Sequence, residues 1–398
     1  MKTKTDIQLE LLQEIDEVCS KNHLNYILFE IDGLNPFHKT KEEPGLISVA
    51  MTQGDIERFS KIIEDNFSEN RYVEGIFNNP RYTPIHVSYG NRNTTDIKIL
   101  ELSHNIHYGI HIIIHPINKS AKLNGTKIEG LNSRLSKEKK IRKTLNKRIE
   151  NPKFWYVKTG LNIANGVYSL TGGGKRYYKE IKKNISIDKW EDIENYSEVN
   201  INNIDISTDD LKEVKRIELQ DIQLFISKNG EEFFNRKMED RINQDLNALD
   251  YLDEPVIIDS EIGYEEVLEE TKDILLEAKG SNEEIAWKKV KVKNELKTVG
   301  NVWNLVEMTK QQVNFIQYFK ENIEYLSKLD LNDKEQFNEV YKELAPVIIE
   351  LKKYAKLGMT FSIDSKTDKL IEEVLVKKGE EKFLKKIKDL REKEYFVE

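Results

Sequence analysis

Two hydrophobic periods divide this chain. Over roughly the first 118 residues, short apolar runs alternate with amphipathic stretches, whereas beyond about Gly263 nearly every window repeats its apolar positions at helical spacing. Ile7, Leu11, Ile15, Val18 and Cys19 predict a first helix over 6–21 with Thr5 or Asp6 as its N-cap. Ile56, Phe59, Ile62, Ile63 and Phe67 predict a second over 53–67. Strand-length apolar runs fall at 26–31, 46–51, 84–89, 96–102 and 109–117, the second of them after a Pro44-Gly45 turn signal. Gly90-Asn91-Arg92-Asn93 reads as a hairpin turn, which would make the third and fourth strands antiparallel neighbours. The expected class is α+β, a mixed sheet with flanking helices followed by a helical bundle.

The pattern changes after Asn118. Residues 119–216 hold a Lys/Arg-rich run, the aromatic triplet Phe154-Trp155-Tyr156, the cluster Gly172-Gly173-Gly174 and an Asn/Asp/Ile-rich stretch over 200–206. An apolar segment over 217–226 follows. From Tyr264 onward helices are predicted over 264–279, 282–299, 302–328, 333–357, 366–378 and 380–394, each with a stripe to bury. Three units are therefore expected, with boundaries at 1–118, 119–262 and 263–398. The last is expected to fold alone and to offer a surface to a protein partner.

Composition narrows the class. At 398 residues the chain exceeds one ordinary core, and 33% charged against 38% hydrophobic residues suits much exposed helix. A net charge of −8 argues against general nucleic-acid binding. The single cysteine, Cys19, lies on the apolar side of the first helix and is expected as a buried thiol. No run of about eighteen apolar residues occurs, and the N-terminus leads straight into an amphipathic helix. A cytoplasmic location follows as the expectation, with at most peripheral contact at the inner membrane surface.

Several stretches together resemble the LicD family, phosphocholine transferases of nucleotidyltransferase fold that decorate cell-surface polysaccharides such as lipopolysaccharide, teichoic acid or capsule. They are Leu11-Leu12-Gln13-Glu14-Ile15-Asp16-Glu17-Val18-Cys19, Tyr26-Ile27-Leu28, Val49-Ala50-Met51 with 55–59, and Gly109 to Asn118. The resemblance spans roughly 8–250 and is specific over the first 118 residues. It implies three Mg²⁺-binding carboxylates, and their positions are held here by Leu46, Ser48 and Ile113. None of the three can be a carboxylate ligand. The glycine-rich phosphate loop is also reduced, since Glu30-Ile31-Asp32-Gly33 has one glycine where the family has a pair.

Two functions of different class follow. One is a degenerate member that binds or regulates in phosphocholine-type modification, with a nucleotide or glycan as ligand and no cofactor. The other is an active transferase of a CDP-choline-like donor that uses Mg²⁺ on relocated ligands, for which Glu30, Asp32, Glu42, Glu43 and Asp55 are the nearby acids. Glu30, Asp32, Gly33, Ser48, His86, His111 and His115 are the candidate pocket residues. All seven histidines lie within the first 115 residues. His111 and His115 share strand parity with Ile113, so with His86 they could hold a transition metal. However, four strand positions span roughly 13 Å, which favours packed or hydrogen-bonded imidazoles. From Arg134 to Arg148 eight basic residues face one acid, Glu138, which reads either as a solvated helix face or as a dock for anionic lipid. Gly172-Gly173-Gly174-Lys175-Arg176 could bind an anion through backbone amides, but it lacks P-loop spacing and reads as a flexible turn.

Overall fold

The computed structural model describes residues 2–31, 47–79, 82, 85–98, 102, 106–120, 141, 155–170, 172–202, 204–219, 221–230, 255–269, 271–276, 278 and 295–392. Helix α1, Lys4–Asn22, begins two residues earlier than expected because Thr3 is its N-cap. Asp6 closes a capping box, accepting from the Thr3 amide at 2.8 Å while its own amide donates to Thr3 Oγ1 at 3.1 Å. Cys19 is buried on the inner side of this helix, and burial pushes its thiol pKa far up.

A five-stranded mixed sheet follows, in the order β1 (Ile27–Ile31), β2 (Ile47–Met51), β6 (His111–Pro116), β4 (Val87–Asn91), β3 (Arg71–Glu74). β2 and β6 are parallel and the other pairings antiparallel. Between β2 and β3 runs α2, Gln53–Phe67, with Thr52 as N-cap. Period-two alternation buries Ile47, Val49, Met51, Val87, Tyr89, Ile112 and Ile114 against α1, α2 and the hairpin β10–β11 (Val214–Leu219, Ile222–Ser227).

β4 and the next strand, β5 (Thr95–Lys98), are not neighbours as the turn signal suggested. Both edges of β4 are already taken, by β3 and β6, so β5 leaves the sheet and pairs antiparallel with β12, Pro255–Asp259. Between them Thr94 Oγ1 donates to the Asn91 carbonyl at 2.9 Å. After β6 the region has more strand than expected. The short β7 (Asn118–Lys119) joins β8 (Glu198–Ile201) and β9 (Ile204–Ser207) in a three-stranded sheet turned by Asn202 in the left-handed region. In the same region stand helices α3 (Trp155–Leu170) and α4 (Gly173–Asn184), and the short α5 (Thr208–Lys212) follows β9.

The C-terminal region is helical, as expected. Residues 264–269 and 271–276 are helical, followed by α6 (Glu295–Leu326), α7 (Lys334–Lys356), α8 (Ser365–Lys377) and α9 (Glu381–Glu392). The break expected between Val299 and Val302 does not occur: α6 runs through Gly300, whose cost of about 1 kcal/mol a 32-residue helix absorbs. Asp333 and Asp364 cap α7 and α8 by accepting two backbone amides each. One hydrophobic cluster joins these helices to Ile97, Leu102, Tyr108, Val256 and Ile257, so the boundary expected at 262/263 runs through shared core. No helix among the described residues is long and apolar enough to cross a membrane.

Candidate functional site

The face of the central sheet turned away from α1 and α2 carries one continuous rung of side chains across all five strands. Glu30 pairs with Ser48, Ser48 with Ile113, Ile113 with Ser88, and Ser88 with Glu74. Directly opposed residues share a face. On β1 this needs a bulge between Leu28 and Glu30, which leaves Leu28 with the helix-covered core and sets Phe29 among Ile27, Ala50 and Ile117 on the other side.

Ser48 and Ile113, two of the positions the resemblance gives to carboxylates, are thus adjacent strand partners. The third position, Leu46, and the loop residues Asp32 and Gly33 lie outside the described residues, as do Glu42 and Glu43. Ser48 is completely buried, and its hydroxyl has no hydrogen-bond partner among the described residues. A hydroxyl beside a sec-butyl side chain does not fit Mg²⁺, which asks for near-octahedral oxygen with one or two carboxylates. Glu30 and Glu74 close the rung at opposite ends, four strand spacings or roughly 19 Å apart, too far to share an ion. Asp55 is at the start of α2, where its carboxylate accepts from Thr52 Oγ1 at 3.0 Å.

One rung further along, β4 and β6 bring His86 and His115 together, with ring centroids 5.9 Å apart and edge to face. They belong to a run of such contacts, from Phe29 to His115 at 5.2 Å and from His86 to Tyr82 at 6.0 Å. His111 lies at the other end of β6, opposite Gly90, with Nδ1 3.0 Å from the Gly109 carbonyl. The three histidines therefore do not meet, and the pair that does is packed as aromatic rings. Among the described residues no three His, Cys, Asp or Glu converge in a group able to hold a metal.

At its β3 end the rung opens into a cleft of about 220 Å³ lined by Arg71, Tyr72, Glu74, Asn79, Arg92 and His107 among others. Glu74 is buried, accepts from the His107 amide at 2.9 Å and from Asn79 Nδ2 at 2.6 Å, and burial raises its pKa. The His107 ring stacks on Tyr72 at 4.4 Å and meets the Tyr264 hydroxyl through Nδ1 at 2.6 Å. Burial first, and then the charge of Arg92, lower its pKa to about 4, so it is neutral at pH 7. Tyr72 donates to the Gly109 carbonyl at 3.0 Å, and its ring occupies the space a Cβ at Gly90 would need, which is why glycine stands there. Arg71 donates to Glu14 at 2.8 Å, and Arg92 Nε to the Arg71 carbonyl at 3.0 Å. Two guanidinium groups, a carboxylate and a neutral imidazole can match the charge and hydrogen bonds of a small polar ligand.

Sequence reasoning missed Glu74, Arg92 and Tyr264 and had His107 only as a member of a histidine-rich stretch. These four come from separate segments, and no local spacing links them. Comparison with known proteins adds no family: no family model, no curated protein and no solved structure matches the chain.

Proposed function

We propose that this is a LicD-like protein of nucleotidyltransferase type that binds rather than transfers. On this reading it recognises or regulates in the phosphocholine-type modification of cell-surface polysaccharide. The observation that supports it is the parallel pairing of Ser48 with Ile113. The resemblance requires its carboxylates on two adjacent strands, and these two strands are adjacent while the side chains at the paired positions are a hydroxyl and a hydrocarbon. Without that counter-charge the diphosphate of a CDP-choline-like donor has nothing to offset its developing charge during transfer. Titration of the purified chain with CDP-choline, followed by thermal melting with and without Mg²⁺, tests the proposal. The expected melts do not depend on Mg²⁺. Ligand at a hundredfold over its Kd would add about 2.7 kcal/mol, so a gain that appears with Mg²⁺ and vanishes with chelator would overturn it.

A second reading, an active transferase with relocated ligands, draws on one feature. The Cα of Glu30 pairs with that of Ser48, which sets a carboxylate on the strand beside the lost one. In that case Glu30→Gln would abolish Mg²⁺-dependent transfer of a CDP-choline-like donor to a glycan acceptor.

A further inference from the structure

The strongest charge asymmetry in the chain lies away from the central rung. Residues 119–187 contain 18 lysines and arginines against four acids, a net +14 within a chain of net −8. Besides residues 119–120, 141 and 185–187, the described part of this region is the helical hairpin α3–α4. Gly172 turns it in the left-handed region, and the Tyr168 ring fills the space a Cβ at Gly173 would take, so the two helices close tightly on one another.

Each helix presents one unusual stripe. On α3, Tyr156, Ile163, Val167 and Leu170 fall within an arc of about 60° at roughly 100° per residue. They are 57%, 66%, 57% and 89% exposed. Lys158 is the one charged residue in the sequence of α3. On α4, Lys175, Arg176, Lys179 and Lys183 fall within about 100° of arc and are all exposed. Among the described residues none of these four has an ion-pair partner. The opposite side of α4 is anchored: Tyr177 and Ile181 pack with Ile76, Tyr178 bonds Glu57, and Lys182 meets Glu57 at 2.7 Å. The outer stripe of α4 therefore has no structural work to do against α2.

We propose that the α3–α4 hairpin docks on an anionic lipid bilayer, laying the apolar stripe of α3 into the headgroup boundary while the cations of α4 face lipid phosphates. An exposed row of large apolar side chains on one helix of a hairpin whose other helix carries unpaired cations combines the two features of a segment lying in the interface plane. Basic residues near such a surface are attracted to anionic lipid and lose that attraction as salt rises. Nucleic acid would satisfy the cations but would give no reason for Ile163, Val167 and Leu170 to be exposed together. The proposal does not depend on the reading of Ser48 and Ile113.

The test is co-sedimentation of the full chain with vesicles of phosphatidylcholine alone and of phosphatidylcholine with about a third phosphatidylglycerol. Binding is expected to the second only, and to weaken between 50 and 300 mM salt. Lys175→Glu/Arg176→Glu/Lys179→Glu is expected to lower the affinity by about a hundredfold or more, each cation being worth roughly a fivefold factor near such a surface. Ile163→Ser/Val167→Ser/Leu170→Ser should lower it at least tenfold. Both variants change exposed side chains, and unaltered circular dichroism and melting are the check that they fold. Absence of sedimentation with the anionic vesicles would overturn the proposal, as would full binding by either variant. Tighter binding of a 30-mer oligonucleotide than of vesicles, unaffected by the serine variant, would also overturn it and assign the basic face to nucleic acid.

Discussion

The two faces of the central sheet are made by the same strands and share no chemistry. Val49, Ile112, Ile114, Val87 and Tyr89 point to α1 and α2 and join Leu11, Leu12, Ile15, Ile56 and Phe59 in one dry core. One residue along each strand, the other face offers Ser48, Ile113, His115, Ser88 and Glu74. There short local bonds hold some polar atoms, such as Tyr82 to Ser88 at 2.7 Å and Asn79 to Glu74 at 2.6 Å, while the Ser48 hydroxyl has no partner among the described residues. Burial of apolar area fixes register on the first face, because a slip of one residue would bring Ser48 and Ser88 beneath the helices. That leaves the second face open to change its chemistry without losing the fold. On the reading proposed above, Ser48 and Ile113 stand where the resemblance implies carboxylates, and such a face can tolerate that difference.

The largest effect should come from placing carboxylates at those two positions. Ser48→Asp with Ile113→Asp sets two carboxylates side by side at a position where Ser48 is completely buried. Desolvation and like charge should cost more than about 3 kcal/mol in urea unfolding at pH 7. Millimolar Mg²⁺ should recover part of this in the variant and nothing in the parent. If the double variant were as stable as the parent without metal, the rung would have to be far wetter than its burial indicates.

A smaller effect separates the faces by neighbouring residues of one type. Ile114 is fully buried in the helix-covered core, while Ile113 is half-buried on the other side. Ile114→Ala should cost about 3 kcal/mol and Ile113→Ala less than about 1.5, since the second leaves a smaller cavity against fewer packed atoms. Equal urea midpoints for the two variants would erase the distinction.

What could be read from the sequence follows the same division. α2 was legible to the residue because Thr52 caps it and Ile56, Phe59 and Ile63 keep a helical period against the core. β2 and β6 were legible as apolar runs. β3 was not, since Arg71 to Glu74 is four residues with charge at both ends and pairs only through its contact with β4. The departure of β5 toward β12 depends on a partner some 160 residues away, which no turn signal can report. On the other face the sequence brought out Ser48, His86 and His115, which share that face, with the two imidazoles in contact. It did not bring out the cleft, because Glu74, Arg92, His107 and Tyr264 meet only through tertiary packing.

The smallest effect concerns pH, because two neighbours at the cleft pull in opposite directions. His107 has an ordinary pKa of 6.5 and a folded value of about 4. As pH falls from 6.5 toward 4 the unfolded chain takes up a proton there that the folded chain refuses, so this residue lowers stability on acidification. Glu74 has an ordinary value of 4.5 that is raised by burial. Above 4.5 the folded chain takes the proton first, so Glu74 adds stability as pH falls through its folded pKa and loses it again as pH rises. With both present the two contributions oppose one another over the range above 4.5 in which Glu74 takes its proton. His107→Gln should remove the first and leave a chain that gains stability relative to the parent on going from pH 6.5 to 4.5. Glu74→Gln should do the reverse and steepen the acid loss. Urea midpoints of the three proteins at pH 4.5, 5.5 and 6.5 check this, with the remaining titrating groups common to all. Parallel curves would show that neither group is as dry in solution as its place beside Tyr72 and Tyr264 implies.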